Sequence, residues 1–403
     1  RCFSAPVMGI GRLGEGANPA HSGAKGAHKG RMMKIHKLHI KGFKSVADLT
    51  LENVSPFLVL AGANGSGKSN ITDALAFLGD VVKQGATQAR TRFGGFAQIH
   101  CFKYRKEQRT TMQFALVLEL DGAVYDYHLI LRTLDAAPQI DETLRVNGQK
   151  IIDRPANGEL HVRLGSASAM QVLPDYPKDM TALMLLGSLP LYEFLTNIKV
   201  FRIDPLAAKE PSRATTDASE LDEYGRNVAS VLSRLEAEPE FREQVQEWLE
   251  LIVPGMESIS TETQRLDSST VITFKEAGTK TRFPAKLVSD GTLYVLCMLT
   301  AVLSRAERRG ITIIEEPERG IHPKAIGELV QLMRENASAE HPIFLTTHSE
   351  SIVRQLNTAE LYLVSKVDGK TKVSPAELAG VDKTQIPLDT AWLANLFDGG
   401  LPW

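Results

Sequence analysis

The chain has 403 residues, 43% of them hydrophobic and 23% charged, and a net charge of −2. That length can bury the core of one large or two ordinary domains, and the charge excludes a chain-wide basic field for nucleic acid. Three scattered cysteines (Cys2, Cys101, Cys297) exclude a disulfide framework or zinc site and point to a reducing, cytoplasmic setting.

No apolar run reaches the length of a membrane span, and the opening residues lack a secretory core, so a soluble protein is expected. Residues 1–32, rich in Gly, Ala, Lys and His without hydrophobic period, are expected to be a disordered tail. The cations Lys25, Lys29, Arg31, Lys34, Lys37, Lys41 and Lys44 could meet phosphate backbones, though a solvated face is the commoner meaning of such a run.

Residues 33–110 read as the first lobe of a larger domain. Ile35, Leu38, Ile40 and Phe43 suggest a strand, and Val46, Leu49 and Leu51 its partner. An apolar run, Phe57 to Leu60, then leads into GANGSGKS, Gly62 to Ser69. Ile71, Leu75, Leu78 and Val82 follow at helical spacing, ending near Gly85. Strand, Gly-rich loop and helix are the context in which this spacing signals a phosphate loop. Gly62, Gly65 and Gly67 let successive amides point inward, and the helix N-terminus favours an anion. Lys68 can reach the terminal phosphates of ATP and Ser69 can ligate Mg²⁺. Asn64, Ser66 and Asn70 belong to the same loop and first helical turn. The next segment mixes cations with aromatics: Arg90, Arg92, Phe93, Phe96, Lys103, Tyr104, Arg105, Lys106 and Arg109. It suits a nucleic-acid groove, a cover for the nucleotide, or a plain surface.

From 111 to 180 the pattern alternates, with Met112, Phe114, Leu116, Leu118 and Leu120 followed by Val124 to Leu131. Asp121-Gly122 and Asn147-Gly148 mark turns, so an antiparallel β subdomain is expected, with 153–180 loop-like. Residues 181–257 read as a helical insertion, interrupted at Pro239. Residues 258–403 form the last lobe, beginning with a hairpin that turns near Asp267. Ser289 or Asp290 caps a helix whose Leu293, Leu296, Thr300 and Leu303 make one buried stripe. ITIIEEP (Ile311 to Pro317) and IFLTTHS (Ile343 to Ser349) read as buried strands around a helix from Pro323 to Asn336. Such alternation implies a mainly parallel sheet. Carboxylates at a strand's carboxyl end lie where open α/β sheets bind ligands. Glu315 would then help hold Mg²⁺, and Glu316 would orient the attacking water. His348 is a γ-phosphate sensor or, more blandly, a satisfied core histidine.

This order of motifs resembles the ABC-type ATPase heads of the SMC, RecF and OLD group, nearest to short bacterial AAA-family ATPases of defence and toxin–antitoxin systems. The likeness spans 33–366, and Gly42 to Ser45 (GFKS) resembles the first strand of SMC heads. It implies an α/β P-loop NTPase head with a mixed, mainly parallel sheet, an antiparallel β subdomain and a helical insertion. It implies Walker A roles for Lys68 and Ser69, and a Walker B role for Glu315, where many relatives have Asp. Glu316 would be the catalytic glutamate, Glu318 to His322 the D-loop region, and His348 the switch. Ser289, Asp290 and Gly291 would form a signature loop that departs from LSGGQ, and Gln98 would be a Q-loop residue near the metal.

The resemblance further implies a homodimer closed around ATP, each signature loop completing its partner's site. A separate nuclease or toxin effector is expected, because few residues follow His348. DNA is a possible partner and a membrane is not. The alternatives are a nucleotide-gated interaction protein with little hydrolysis and the ATPase subunit of a membrane transporter.

Overall fold

The protein is seen here as a computed structural model that describes residues 34–105, 109–156, 158–165, 169–213, 216–382, 384–397 and 399–401. The expected tail with Lys25, Lys29 and Arg31 lies outside the described residues, as do Cys2, Lys106 and Trp403. β1 (Lys34–Phe43) and β2 (Val46–Val54) pair antiparallel, burying Ile35, Leu38, Ile40 and Phe43 against Leu49, Leu51 and Val54. β3 (Phe57–Ala61) is buried at every position, as a central strand covered on both faces must be. The Gly-rich loop then opens α1 (Lys68–Gln84), which Gly85 ends by donating its amide to Val81. Ile71, Leu75, Leu78 and Val82 are all buried, and burial of each stabilises by roughly 1.5–3 kcal/mol. Short helices α2 (Ala86–Arg92) and α3 (Phe96–Ile99) follow.

The alternating segment forms β4 (Met112–Leu120), β5 (Ala123–Arg132), β6 (Gln139–Val146) and β7 (Gln149–Arg154). Both expected turns join neighbouring strands, and Asp121 and Asn147 adopt positive φ there. The stretch expected to be loop contains two more strands, β8 (Leu160–Val162) and β9 (Gln171–Leu173). Three residues are too few to show a period of two, and the prolines flanking the pair (Pro155, Pro174 and Pro177) read as loop.

Helical structure returns as a 3₁₀ turn (Ala182–Leu186) and α4 (Pro190–Thr196), divided where Pro190 starts a new first turn. β10 (Lys199–Phe201), α5 (Pro205–Ala208), α6 (Val228–Leu235) and α7 (Pro239–Ile252) lead to the antiparallel strands β11 (Met256–Thr263), β12 (Thr270–Glu276) and β13 (Phe283–Pro284). α8 (Asp290–Leu303) is buried at every position from Thr292 onward, so the expected single stripe is in fact a core helix covered on all sides. β14 (Thr312–Glu315), α9 (Pro323–Asn336), β15 (Ile343–Thr347), α10 (Glu350–Val353), β16 (Leu361–Val367), β17 (Lys370–Pro375) and α11 (Leu388–Leu393) complete the chain.

Two large sheets result. The eight-stranded one runs β2-β1-β4-β5-β6-β7-β8-β9 and is antiparallel throughout, so the first hairpin and the alternating strands share one sheet. The six-stranded one runs β10-β14-β15-β3-β16-β17 and is parallel except for β17. Its register sets Glu315 beside Thr346 and Thr347 beside Ala61. The carboxyl ends of β14, β15 and β3 therefore finish side by side, which is where the site lies.

Candidate nucleotide-binding site

The loop after β3 is shaped by glycines that a side chain would disrupt. Gly65 and Gly67 have φ of +76° and +107°. A Cβ on Gly62 would collide with the Val364 carbonyl, and one on Gly67 with the Thr371 hydroxyl. The amides of Gly65, Gly67, Lys68 and Ser69 have no acceptor among the described residues, and α1 has no side-chain cap. Ser66 Oγ is likewise buried without a partner. Unsatisfied donors at a helix N-terminus are what an anion would use, so the loop fits a phosphate chain.

Lys68 is buried and folds back, donating from Nζ to the carbonyls of Gly62 at 2.6 Å and Ala63 at 2.9 Å. Burial lowers its pKa, while Glu316, Glu318 and Glu315 pull it back up. Ser69 Oγ donates to Glu315 Oε2 at 3.3 Å. Glu315 Oε1 accepts from Thr72 Oγ1 at 2.5 Å and Arg202 Nη2 at 2.9 Å. A hydroxyl and a carboxylate oxygen meeting at the loop are hard oxygen donors of the kind Mg²⁺ takes.

Glu316 leaves the strand with φ of +51°, a conformation few non-glycine residues adopt. Its amide donates to Thr346 O at 2.9 Å and its carbonyl accepts from the Tyr294 hydroxyl at 2.7 Å. Its carboxylate Oε1 stands 3.4 Å from His348 Nδ1. Glu318 sits behind this pair, accepting from Thr347 Oγ1 at 2.7 Å and His348 N at 3.3 Å. Its Oε2 is buried with no partner, and burial raises its pKa. A cavity of about 230 Å³ is lined by Asn64, Gly65, Gly67, Lys68, Ser69, Asn70, Glu316, Thr346 and Lys366. Lys68, Ser69, Glu315, Glu316 and His348 thus converge from three strand ends.

Two expected groups stand apart. Ser289 caps α8 by accepting from Thr292 N at 3.2 Å, and Asp290 pairs with Lys209. Gly291 packs so close to Gly320 that a Cβ would strike its carbonyl. Among the described residues Ser289, Asp290 and Gly291 make no hydrogen bond to the Gly-rich loop. Gln98 is exposed on α3, lies over Gly94, and touches neither Ser69 nor Glu315 by any hydrogen bond among the described residues. Several cations of the mixed basic and aromatic segment are spent on their own chain. Arg90 donates to the carbonyls of Leu134 and Ala136, Arg92 pairs with Asp80, and Arg109 holds Tyr104 O.

Other contributors were not singled out in the sequence. Thr371 lies 2.6 Å from Ser45 Oγ, which also accepts from Asn70 Nδ2 at 2.6 Å, so β17 and the β1–β2 turn buttress the loop from outside. Lys366 lines the cavity from the end of β16. Arg202 follows β10. Thr371, Lys366 and Arg202 are each separated from the loop by more than a hundred residues and carry no local motif.

A parallel sheet carrying this loop after β3, with paired carboxylates at the end of β14 one strand beyond its neighbour β15, is the fold of a P-loop, ABC-type ATPase head. The family described as “AAA domain, putative AbiEii toxin, Type IV TA system” matches residues 57–354, and the chain belongs to it. The chain is 40% identical over 70 residues to the chromosome partition protein Smc of Methanocaldococcus jannaschii, and 36% over 91 residues to that of Halothermothrix orenii. These stretches cover 17% and 22% of this chain but only 6% and 7% of those much longer proteins. A solved SMC head bound to the C-winged helix domain of ScpA matches with a TM-score of 0.56 at 17% identity, covering 84% of this chain and 97% of that one. An SMC head with an extended coiled coil, bound to the C-terminal domain of ScpA and derived from Pyrococcus furiosus, gives 0.51 at 16%, covering 87% and 98%. At such identity the likeness is one of fold. No helix among the described residues is long and apolar enough to cross a membrane.

Proposed function

We propose that this chain binds ATP with Mg²⁺ and hydrolyses it, two copies closing around two nucleotides, and that the cycle controls a separate effector protein in a DNA-related or defence setting. The observation that carries the reading is the convergence of the loop amides and Lys68 with Ser69, Glu315, Glu316 and His348 at adjoining strand ends. Ser69 and Glu315 would hold the metal, which compensates phosphate charge when bound. Lys68 would leave the Gly62 and Ala63 carbonyls to meet phosphate oxygens, taking up a stronger partner for its charge. Glu316 would orient a water and accept its proton, with His348 steadying the carboxylate from 3.4 Å. Ser289, Asp290 and Gly291, distant in bonding from their own loop, would serve the opposite copy's nucleotide through the exposed N-terminus of α8.

The test is phosphate release and molar mass measured together. Wild type should turn over ATP and gain mass with ATP but not ADP. Glu316→Gln should keep ATP and stay dimeric. Unchanged turnover in Glu316→Gln would remove that residue from catalysis, and a mass indifferent to nucleotide would remove the pairing.

A further inference from the structure

Arg202 stands one residue past β10, whose Phe201 pairs with Ile314, so it emerges beside Glu315. Its guanidinium is divided among three carboxylates. Nη2 donates to Asp73 Oδ1 at 2.5 Å and Glu315 Oε1 at 2.9 Å, and Nη1 pairs with Glu223. Burial opposes its charge, but Glu315, Asp73 and Glu223 hold it firmly protonated. Asp73 has a second cation in Lys44 at 2.5 Å; among the described residues the cation paired with Glu315 is Arg202. With Thr72 and Arg202 both on Oε1, Glu315 is left with Oε2 facing Ser69. The Arg202 amide also donates to the Glu223 carbonyl at 2.7 Å, so side chain and backbone both bind it to the segment before α6. A polar cavity of about 550 Å³ opens behind this cluster, lined by Asp73, Asp80, Arg202 and Glu223 among others.

We infer that Arg202 is a positioning residue for the metal site: it fixes which oxygen Glu315 presents and sets how much divalent cation the site needs, while Glu223 ties that setting to the segment leading into α6. The inference rests on the reading of Ser69 and Glu315 as metal ligands. A guanidinium near a metal-binding carboxylate opposes the cation by simple repulsion, and it also stops the carboxylate from swinging. Removing it therefore tightens cation binding while spoiling geometry, and these two effects have opposite signs in experiment. A lysine replaces the charge but cannot fork between carboxylates.

Full-length wild type, Arg202→Met, Arg202→Lys and Glu223→Gln would be titrated with Mg²⁺, following phosphate release and, separately, binding of a non-hydrolysable fluorescent ATP analogue. Arg202→Met should lower the half-saturating Mg²⁺ about three- to tenfold in both assays and reduce kcat at least about tenfold. Arg202→Lys should restore the midpoint but not kcat. Glu223→Gln should shift the midpoint upward, because it frees Arg202 to act more fully on Glu315. A folded Arg202→Met whose midpoint is unmoved or raised overturns the inference, and so does full recovery of kcat in Arg202→Lys. If Arg202→Met does not fold, the lysine and Glu223 variants decide. If wild type itself binds the analogue with no dependence on Mg²⁺, the metal reading fails and takes the inference with it, an outcome distinct from an unmoved midpoint.

Discussion

The Thr371 hydroxyl fills the space into which a side chain at Gly67 would grow, although the two residues lie far apart in the sequence. The same hydroxyl reaches the Ser66 carbonyl at 3.3 Å and Ser45 at 2.6 Å. Gly67→Ala meets both this collision and a φ of +107°, and should cost about 2–4 kcal/mol. Thr371→Ala removes the collision but not the backbone strain. The double variant should therefore lose less than the sum of the two single losses, which urea unfolding of all three proteins measures.

Lys68 is a buried cation whose hydrogen bonds among the described residues go to carbonyls, an arrangement that favours function over stability. Lys68→Ala should leave unfolding free energy within about 1 kcal/mol of wild type, since burial already opposes its charge. ATP affinity should nevertheless fall by about a hundredfold or more, the loss expected for a charge-assisted contact in a partly buried site. Isothermal calorimetry set beside thermal unfolding would show the two effects parting.

Glu316 occupies a left-handed backbone conformation that glycine adopts freely. Glu316→Gly relieves that strain while adding unfolded-state entropy, so its stability should lie within about 1 kcal/mol of wild type. Turnover should be lost. A glycine variant that still released phosphate at the wild-type rate would show that the carboxylate has no part in the reaction.

Two buried groups far from the loop respond to pH in opposite senses. Glu142 accepts from the Tyr127 hydroxyl at 2.9 Å and from the amides of Ala182 and Leu183, tying β6 to the 3₁₀ turn. Burial raises its pKa from 4.5 to about 7, so the native state holds the proton longer than the unfolded one. Its contribution is full below pH 4.5 and is lost as pH rises through about 7, a difference of about 3 kcal/mol. His341, 2.7 Å from Thr312 Oγ1, is pushed down from 6.5 to about 4 by burial and then by Arg305. Its contribution is full above pH 6.5 and is lost as pH falls through about 4. Between them the two slopes offset, so wild-type stability should change little from pH 5 to 7. Glu142→Gln should become progressively less stable on acidification over that interval, as denaturant midpoints at several pH values would reveal.

Much of this was legible along the chain because the signals are local. The period of α1, the glycine turns of the antiparallel strands and the serine cap of α8 are each written within a few residues. The paired glutamates and His348 were legible because apolar strands point to their own carboxyl ends. What stayed hidden depends on contacts between distant segments. Arg202 is an unremarked residue in FRID until β10 is set beside β14, and Thr371 matters only because Gly67 lacks a side chain. The strand ending in Glu315 does not announce that the next residue turns left-handed. Likewise α8, apolar on every side, shows no preferred face until the elements around it are in place.

The phenol of Tyr294, buried in α8, holds the carbonyl of Glu316 at 2.7 Å, and the backbones of Gly291 and Gly320 touch without side chains between them. Helix and glutamate loop are therefore fastened at two points, like a lever pinned to its pawl. A load on the exposed tip of that lever would be passed to the Glu316 backbone through both pins, so the strand end and the far helix should shift as one piece.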